Sequence, residues 1–242
     1  MAERIAIPQL PADCPTLFPN PLHSEHPDGL IAWGGDLQPA RLLQAYRLGI
    51  FPWFDDDSPI LWWSPQPRAV FYPQHWTPPR RLARTLRQAR YRITLDHAFP
   101  EVIKACAGPR EGQAGTWITD EMQTAYRKLH ELGHAHSIEV WDDNQNGNPL
   151  VGGLYGVAIG KIFFAESKFH RQRDASKIAL GEMLKRLADW EFILMDCQVW
   201  NPHLERLGVS MIGREPFMAA VQIGVNRPDL DGSWADRRTA WP

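Results

Sequence analysis

Between Leu150 and Asn201 the apolar pattern changes period three times, and no other part of the chain restricts the fold as tightly. Leu150-Val-Gly-Gly-Leu-Tyr-Gly-Val-Ala158 favours apolar positions, Ile159-Gly160-Lys161 suits a tight turn, and Ile162-Phe-Phe-Ala165 runs back. This predicts a β-hairpin that ends at Glu166. From Ser176 the period is helical: Ile178, Leu180, Met183, Leu184, Leu187 and Trp190 share one face, with Lys185, Arg186 and Asp189 on the other. Phe192-Ile-Leu-Met195 then has the length and composition of a buried strand, and it delivers Asp196, Gln198 and Asn201 in quick succession. Alternation along a strand puts Asp196 and Gln198 on the same side. Burying a carboxylate and an amide without partners costs roughly 1 to 3 kcal/mol or more, so the pair either serves a site or satisfies a loop.

The flanking chain alternates helical and extended patterns. The first 27 residues are rich in proline and lack periodicity, which predicts irregular surface chain. Asp36-Leu-Gln-Pro39 opens a short helix through Tyr46 that stops at Gly49. Ile50-Phe-Pro-Trp-Phe54 and Leu61-Trp-Trp63 form a small aromatic core. Arg92–Leu95 reads as a strand, Ala98–Ala107 as a short helix, and Gly108–Gly115 as a polar loop. A helix is expected from Asp120, with Met122, Ala125, Tyr126 and Leu129 inward and Gly133 at its C-cap; Ser137–Trp141 is a strand followed by a polar hairpin loop. After Gly208 the chain thins into Arg, Pro, Asp and Gly, and the tail from Asn226 is expected to be extended or loosely attached. Helices and strands in this order fit an α+β or α/β arrangement of one mixed sheet. The 242 residues, 44% of them hydrophobic, suffice for one large core or a main core with a smaller lobe.

Charge and cysteine usage narrow the chemistry. The three cysteines are scattered and odd in number, which suggests neither a disulfide framework nor a thiolate metal site. No run of 18 apolar residues exists and the first residues lack a secretory apolar core, so the cytoplasm is expected. A formal net charge of −2 gives no global pull toward nucleic acid, and binding there needs a local basic patch. Trp76–Arg92 supplies one: Arg80, Arg81, Arg84, Arg87, Arg90 and Arg92 occur without an acid. If Pro78 and Pro79 open a helix, Arg80, Arg84 and Arg87 share a side that could track phosphates, the alternative being a solvated face.

Two motifs are tempting and do not hold. His130-Glu-Leu-Gly-His134 matches the zinc-hydrolase pattern, which requires both histidines on one continuous helix, yet Gly133 sits where that helix should end. Gly152, Gly153, Gly156 and Gly160 fit neither dinucleotide nor phosphate-loop spacing and suit close strand packing.

Several segments, in order, resemble one family: Asp28-Gly-Leu-Ile-Ala-Trp-Gly-Gly-Asp-Leu, Ala45-Tyr-Arg-Leu-Gly-Ile-Phe-Pro-Trp-Phe, Leu61-Trp-Trp-Ser-Pro-Gln-Pro-Arg, Gly115-Thr-Trp-Ile-Thr, His130-Glu-Leu-Gly-His-Ala-His-Ser-Ile-Glu-Val-Trp, Val151-Gly-Gly-Leu-Tyr-Gly-Val, Glu166-Ser, Ala175-Ser-Lys and Asp196-Cys-Gln-Val. From about Phe18 to about Pro216 the chain looks like a leucyl/phenylalanyl-tRNA protein transferase. The resemblance implies a bacterial cytoplasmic aminoacyltransferase that uses no metal and no coenzyme A. It implies transfer of Leu or Phe, and less well Met, from its tRNA to proteins beginning with Arg or Lys, which marks them for degradation. It implies a monomer with a small N-terminal α/β lobe (residues 1–68) and a C-terminal GNAT-like (acyl-N-acyltransferase) domain (residues 69–242), whose mixed sheet is flanked by helices.

It also implies roles. Asp196 would polarise Gln198, whose amide oxygen would accept from the incoming α-amine, and Glu166 would hold an ammonium group, these three being the catalytic set. Asn201 would order the site. Leu154 and Phe163 would line the pocket for the apolar side chain, and Tyr46, Trp53, Trp117 and Tyr126 would contact the terminal adenosine or the acceptor peptide. Arg80, Arg81, Arg84, Arg87 and Arg90 would hold the acceptor stem. Two rivals are a coenzyme A-dependent GNAT-type N-acyltransferase, for which Glu166–Ser176 offers no Gly-rich phosphate loop, and a non-catalytic aromatic peptide-binding module, which leaves Asp196 and Gln198 without a purpose.

Overall fold

The computed structural model describes residues 6–108, 116–230 and 234–235. Strands β1 (Gln9–Leu10) and β2 (Leu30–Gly34), helix α1 (Pro39–Arg47), and strands β3 (Phe51–Pro52) and β4 (Leu61–Trp63) come first, and the four strands form a small sheet in the order β1-β2-β4-β3. Pro39 sits in the first turn of α1, where its missing N–H costs nothing, and Gly49 leaves the helix at φ 65°. Strands of two to five residues are too short to show a period, so the strands of the first lobe are not marked in sequence although its helix is.

The larger unit begins with β5 (Arg68–Phe71), α2 (Arg80–Arg87), β6 (Arg92–Leu95), α3 (Phe99–Cys106), α4 (Asp120–Glu131) and β7 (Ala135–Trp141). It continues with β8 (Leu150–Ile159), β9 (Ile162–His170), α5 (Ala175–Asp189), β10 (Leu194–Asp196), α6 (Pro202–Glu205), β11 (Ser210–Ile212) and α7 (Arg214–Val225). The seven strands run in the order β11-β5-β10-β9-β8-β7-β6. Each neighbouring pair is antiparallel except β9 and β10, which are parallel. One face packs on α1, α3, α4 and α7 through Leu42, Phe99, Val102, Met122, Leu129, Phe217 and Val221. The other packs on α2 and α5 through Leu82, Leu86, Ile178, Met183 and Leu187. The fold is thus α+β, a mixed sheet between helices with a small second sheet at its side.

The β8–β9 hairpin carries an irregularity that the sequence does not announce. Tyr155 pairs with Ser167 but Gly156 pairs with Ala165, so Glu166 is an extra residue in β9, and a bulge of this kind re-aims a side chain. Gly156 permits it: a Cβ there would lie 2.3 Å from the Phe164 carbonyl oxygen.

Four expectations need correction. Strand β9 does not stop at Glu166 but runs to His170, because pairing with β8 resumes beyond the bulge. Arg186 is not on a solvated face; it is buried, and its guanidinium is neutralised by Glu182 one turn back at 2.6 Å. The chain beyond Gly208 forms β11 and the twelve-residue α7, whose Phe217, Met218, Val221 and Val225 are buried. The tail is anchored too, since Trp234 is 1% exposed and stacks on His136 with ring centroids 3.8 Å apart. The polar loop expected at Gly108–Gly115 lies outside the described residues from 109 on.

Candidate active site

Strands β9 and β10 stay paired for only three positions, Leu194 with Ile162 through Asp196 with Phe164, and then part. A sheet that opens between adjacent parallel strands leaves a crevice beyond their carboxyl ends, where ligands of α/β sheets commonly sit. Here it is a cavity of about 1510 Å3, larger than a single small ligand requires. Glu166 enters it from the bulge on β9, and Gln198 enters it two residues past β10.

The two side chains meet: Gln198 Nε2 donates to Glu166 Oε1 at 2.8 Å. The other carboxylate oxygen, Oε2, accepts from the Tyr126 hydroxyl at 3.1 Å, and Tyr126 is in turn hydrogen-bonded to the Tyr46 hydroxyl. Burial pushes the Glu166 carboxyl up to about 7; the Tyr46 and Tyr126 hydroxyls pull it down, the Asp196 charge raises it, and the Gln198 amide lowers it. At neutral pH the protonated and ionised forms of this group are therefore both populated.

Asp196 takes a different part from the one expected of it. Its side chain is fully buried, and Arg68 holds it in a two-pronged ion pair, Nε to Oδ1 and Nη2 to Oδ2, both at 2.9 Å. Arg68 Nη2 also donates to the Gly49 carbonyl at 3.0 Å, and its guanidinium lies over the Phe51 and Phe217 rings, at 4.9 and 4.4 Å from their centroids. The contact from Asp196 to Gln198 runs through the backbone: Oδ1 accepts the Gln198 N–H at 2.8 Å. That bond, with the Ala69 N–H donating to the Gln198 carbonyl at 3.1 Å, fixes Gln198 at φ 59°. The alternation rule fails here because the strand ends at Asp196 and the next turn is left-handed. Asp196 thus positions Gln198 and does not touch its amide.

The remaining expected contacts divide. Trp53, Trp117, Leu154 and Asn201 line the cavity, and Asn201 caps α6, its Oδ1 accepting from the His203 and Leu204 N–H groups at 3.0 and 2.9 Å. Phe163 does not line it; the ring points to the opposite side of β9 from Glu166 and packs on Trp234. Tyr46 and Tyr126 are also buried away from the cavity wall, because they spend their hydroxyls on one another and on Glu166. Leu154, Ala165, Leu180 and Leu204 are apolar side chains of the cavity wall. Arg80, Arg81, Arg84, Arg87 and Arg90 are all exposed, as a phosphate-tracking face requires, while Arg90 approaches Asp142 at 3.7 Å.

Sequence reasoning misses Arg68, and it names Tyr46 and Tyr126 without their bond to each other and to Glu166. Arg68 has a signal: a charged residue directly before Ala-Val-Phe, a run that must be buried, needs a buried partner. Cys197 also lines the cavity, but burial pushes its thiol up to about 12, so it offers no thiolate at neutral pH. In the zinc-like motif, α4 ends at Glu131, Gly133 has φ 78°, and His130 Nδ1 bonds the Ala135 carbonyl oxygen at 2.8 Å, so the two histidines do not share a helix.

The sequence profile of the leucyl/phenylalanyl-tRNA protein transferases matches residues 70–222, and that of their N-terminal domain matches residues 35–66. A protein of that name from Shewanella baltica is 51% identical over 221 residues, covering 91% of this chain and 92% of that one. The chain belongs to the leucyl/phenylalanyl-tRNA protein transferase family. It is thereby an aminoacyltransferase. Two further transferases of the same name, from Chromobacterium violaceum and an Anaeromyxobacter species, are 51% and 50% identical and cover 86% and 95% of this chain and 88% and 95% of their own length. Among solved structures, FemX superposes with a TM-score of 0.48 at 12% identity, covering 76% of this chain and 71% of its own. No described helix is long and apolar enough to cross a membrane.

Proposed function

We propose that this transferase moves Leu or Phe, and less well Met, from aminoacyl-tRNA to the α-amine of proteins that begin with Arg or Lys, in the cytoplasm, and that the product is thereby marked for degradation. The observation that carries this reading is the hydrogen bond from Gln198 to Glu166 at the point where β9 and β10 part. An aminoacyl ester is already activated, so the site has to bring an amine to the ester carbonyl and manage one proton. Because Glu166 engages the Gln198 amide nitrogen, the amide oxygen is the atom presented to the incoming amine. A glutamine is a poor base, and its part is orientation. Ionised Glu166 supplies the countercharge for the ammonium form of the acceptor as it binds; the neutral amine attacks, the amide bond forms as the ester C–O bond breaks, and the proton the amine loses is balanced by the one the released ribose hydroxyl gains.

The apolar wall of Leu154, Ala165, Leu180 and Leu204 takes the amino-acid side chain. One methylene in such a pocket is worth about 1 to 3 kcal/mol, so it rejects charged side chains well and Met poorly. Trp53 and Trp117 provide flat apolar surface for the terminal adenosine or the acceptor peptide. The exposed arginines of α2, with Arg90, take the acceptor stem. We read residues 69–242 as an acyl-N-acyltransferase (GNAT-like) domain and 1–68 as a small N-terminal domain; a parallel β9–β10 pair in an otherwise antiparallel sheet, helices on both faces, supports that reading.

The test uses leucyl-tRNA and a peptide beginning with Arg. Leucine should appear on the peptide N-terminus, and Gln198→Ala should lower transfer by at least about 100-fold with tRNA binding retained. Transfer unchanged by that substitution removes the reading.

A further inference from the structure

Between the arginines of α2 and the cavity at the parting of β9 and β10 there is an interval that the single-stranded 3′ end of a bound tRNA has to cross. Physical packing shows what lies there. Helix α2 sits directly on α5, with Leu86 against Gly181, where a Cβ would lie 3.0 Å from the Leu86 side chain. This brings Arg81 into the electrostatic neighbourhood of Asp174, the residue that precedes α5, alongside Arg173 and Lys177. From there the connection back to β9 places Arg171, His170 and Lys168 on the cavity wall, and Arg171 is held in place by its bond to the Leu150 carbonyl oxygen at 2.9 Å. On the facing side, α6 adds Arg206 beside His203, which also lines the cavity. Lys168, Lys177, Arg206 and His170 all act on His203, and burial together with these charges lowers it to about 4. His203 Nε2 is buried and without a partner among the described residues.

The acids on this route are Asp174, which holds Lys177 at 2.5 Å and lies 3.7 Å from Arg173, the exposed Glu205, and Glu101 and Glu166 on the cavity wall. The cations outnumber them, in a chain whose formal net charge is −2. An excess of one sign of charge along a groove raises the local potential and draws an anion to it. The same cavity is lined by Leu154, Leu180 and Leu204, so it offers apolar wall as well as these cations to the end of a strand.

We propose that Arg81, Arg173, Lys177, Arg171, Lys168 and Arg206 form a cationic track from α2, around the start of α5, to the cavity mouth, and that it binds the phosphates of the single-stranded 3′ end of aminoacyl-tRNA. The inference rests on reading the cavity as the aminoacyl-tRNA site. It assigns a path that starts from Arg81 on the stem-binding face of α2 and a set of contacts beyond that helix.

The test is the salt dependence of tRNA binding by the full chain carrying Arg173→Ala and Arg206→Ala, both exposed positions. With intact tRNA the slope of log Kd on log salt concentration should flatten by about 0.7 for each arginine removed, the value for single-strand phosphates. With tRNA trimmed of its unpaired 3′ nucleotides the altered and unaltered proteins should show the same slope. Arg173→Lys with Arg206→Lys should restore the original slope on intact tRNA. Equal flattening on trimmed tRNA, or no flattening on intact tRNA, overturns the track while leaving the active-site reading standing. No binding of tRNA by the unaltered chain overturns both.

Discussion

Arg68 and Asp196 are 128 residues apart in sequence and face each other through two hydrogen bonds of 2.9 Å, with 1% and 0% of their side chains exposed. The pair sits under Gln198 and reaches the first lobe through the Gly49 carbonyl. Removing one member of a buried pair leaves the other charge without compensation, and Arg68→Met should destabilise the fold by about 3 to 5 kcal/mol in urea titration. Arg68→Met combined with Asp196→Leu should cost less than the single change, since no lone charge remains. Activity follows a different rule. Asp196→Asn keeps an oxygen for the Gln198 N–H and should retain more transfer per folded molecule than Asp196→Ala. Equal activity in the two variants at matched folded fractions would remove the positioning role.

Glu166 should make both stability and activity depend on pH, in opposite senses. Its folded value of about 7 lies above the ordinary glutamate value of 4.5 because burial opposes the charge. Between those values the folded state binds more proton than the unfolded one, so stability is highest below 4.5 and falls as pH rises to about 7. A gap of this size corresponds to about 3 kcal/mol. Glu166→Gln cannot titrate, and its stability should gain on the unaltered protein across that window. Transfer should behave the other way: it should rise through about 7 in the unaltered protein as the carboxylate forms, and in Glu166→Gln stay low and keep only the rise that the acceptor amine contributes. The acceptor α-amine also titrates near this range, so the comparison between the two proteins is the informative quantity. Parallel stability profiles for the two would exclude Glu166 as the titrating group.

The arginine face of α2 can be removed without touching what holds the helix. Leu82 and Leu86 carry its packing, whereas Arg80, Arg84 and Arg87 are exposed and form no ion pair among the described residues. Replacing those three with Ala should shift stability by about 0.5 kcal/mol or less. Binding of tRNA should weaken, with the salt slope falling by about one for each phosphate that an arginine had neutralised. An unchanged slope would make the face ordinary solvated surface.

Local signals decide what can be read from sequence. Strand β6 is Arg92–Leu95 as expected, and Met122, Ala125, Tyr126 and Leu129 all turn inward on α4, because a period and a cap are written in neighbouring residues. The Trp53, Trp117 and Leu154 positions around the cavity come from motif resemblance, not from periodicity. What stays hidden depends on partners far away in sequence. Tyr46 and Tyr126 look like stacking residues until folding brings them together from 80 positions apart, with the Tyr46 hydroxyl on that of Tyr126 and the Tyr126 hydroxyl on Glu166. Arg186 looks solvated until Glu182 is seen beside it in the core. Helix α7 escapes a reading of local pattern because Pro216 and Gly224 fall within it, although Pro216 lies in the first turn where proline is tolerated.

The bulge that turns Glu166 into the cavity gives the last expectation. Gly156 lies opposite Ala165 at the register shift, and an added Cβ would meet the Phe164 carbonyl oxygen at 2.3 Å and the Phe163 ring at 2.7 Å. Neither neighbour can retreat: the Phe164 carbonyl belongs to the sheet, and Phe163 is fully buried against the α5 side of the core. Gly156→Ala should therefore either unfold the hairpin or erase the bulge, at a cost of roughly 1 to 3 kcal/mol or more. If the bulge is erased, residues beyond it shift by one place, and a one-residue slip moves each side chain to the opposite face. Glu166 would then leave Tyr126 and Gln198 even in molecules that remain folded. Transfer should fall further in Gly156→Ala than its reduced folded population explains, as read from activity normalised to the folded fraction in a urea titration. Gly133→Ala is the control, because nothing lies within 4 Å of a Cβ there and only its φ of 78° is strained. That change should lower stability without lowering the activity of the folded molecules, and the same normalised decrease in both variants would show that the bulge does not aim Glu166.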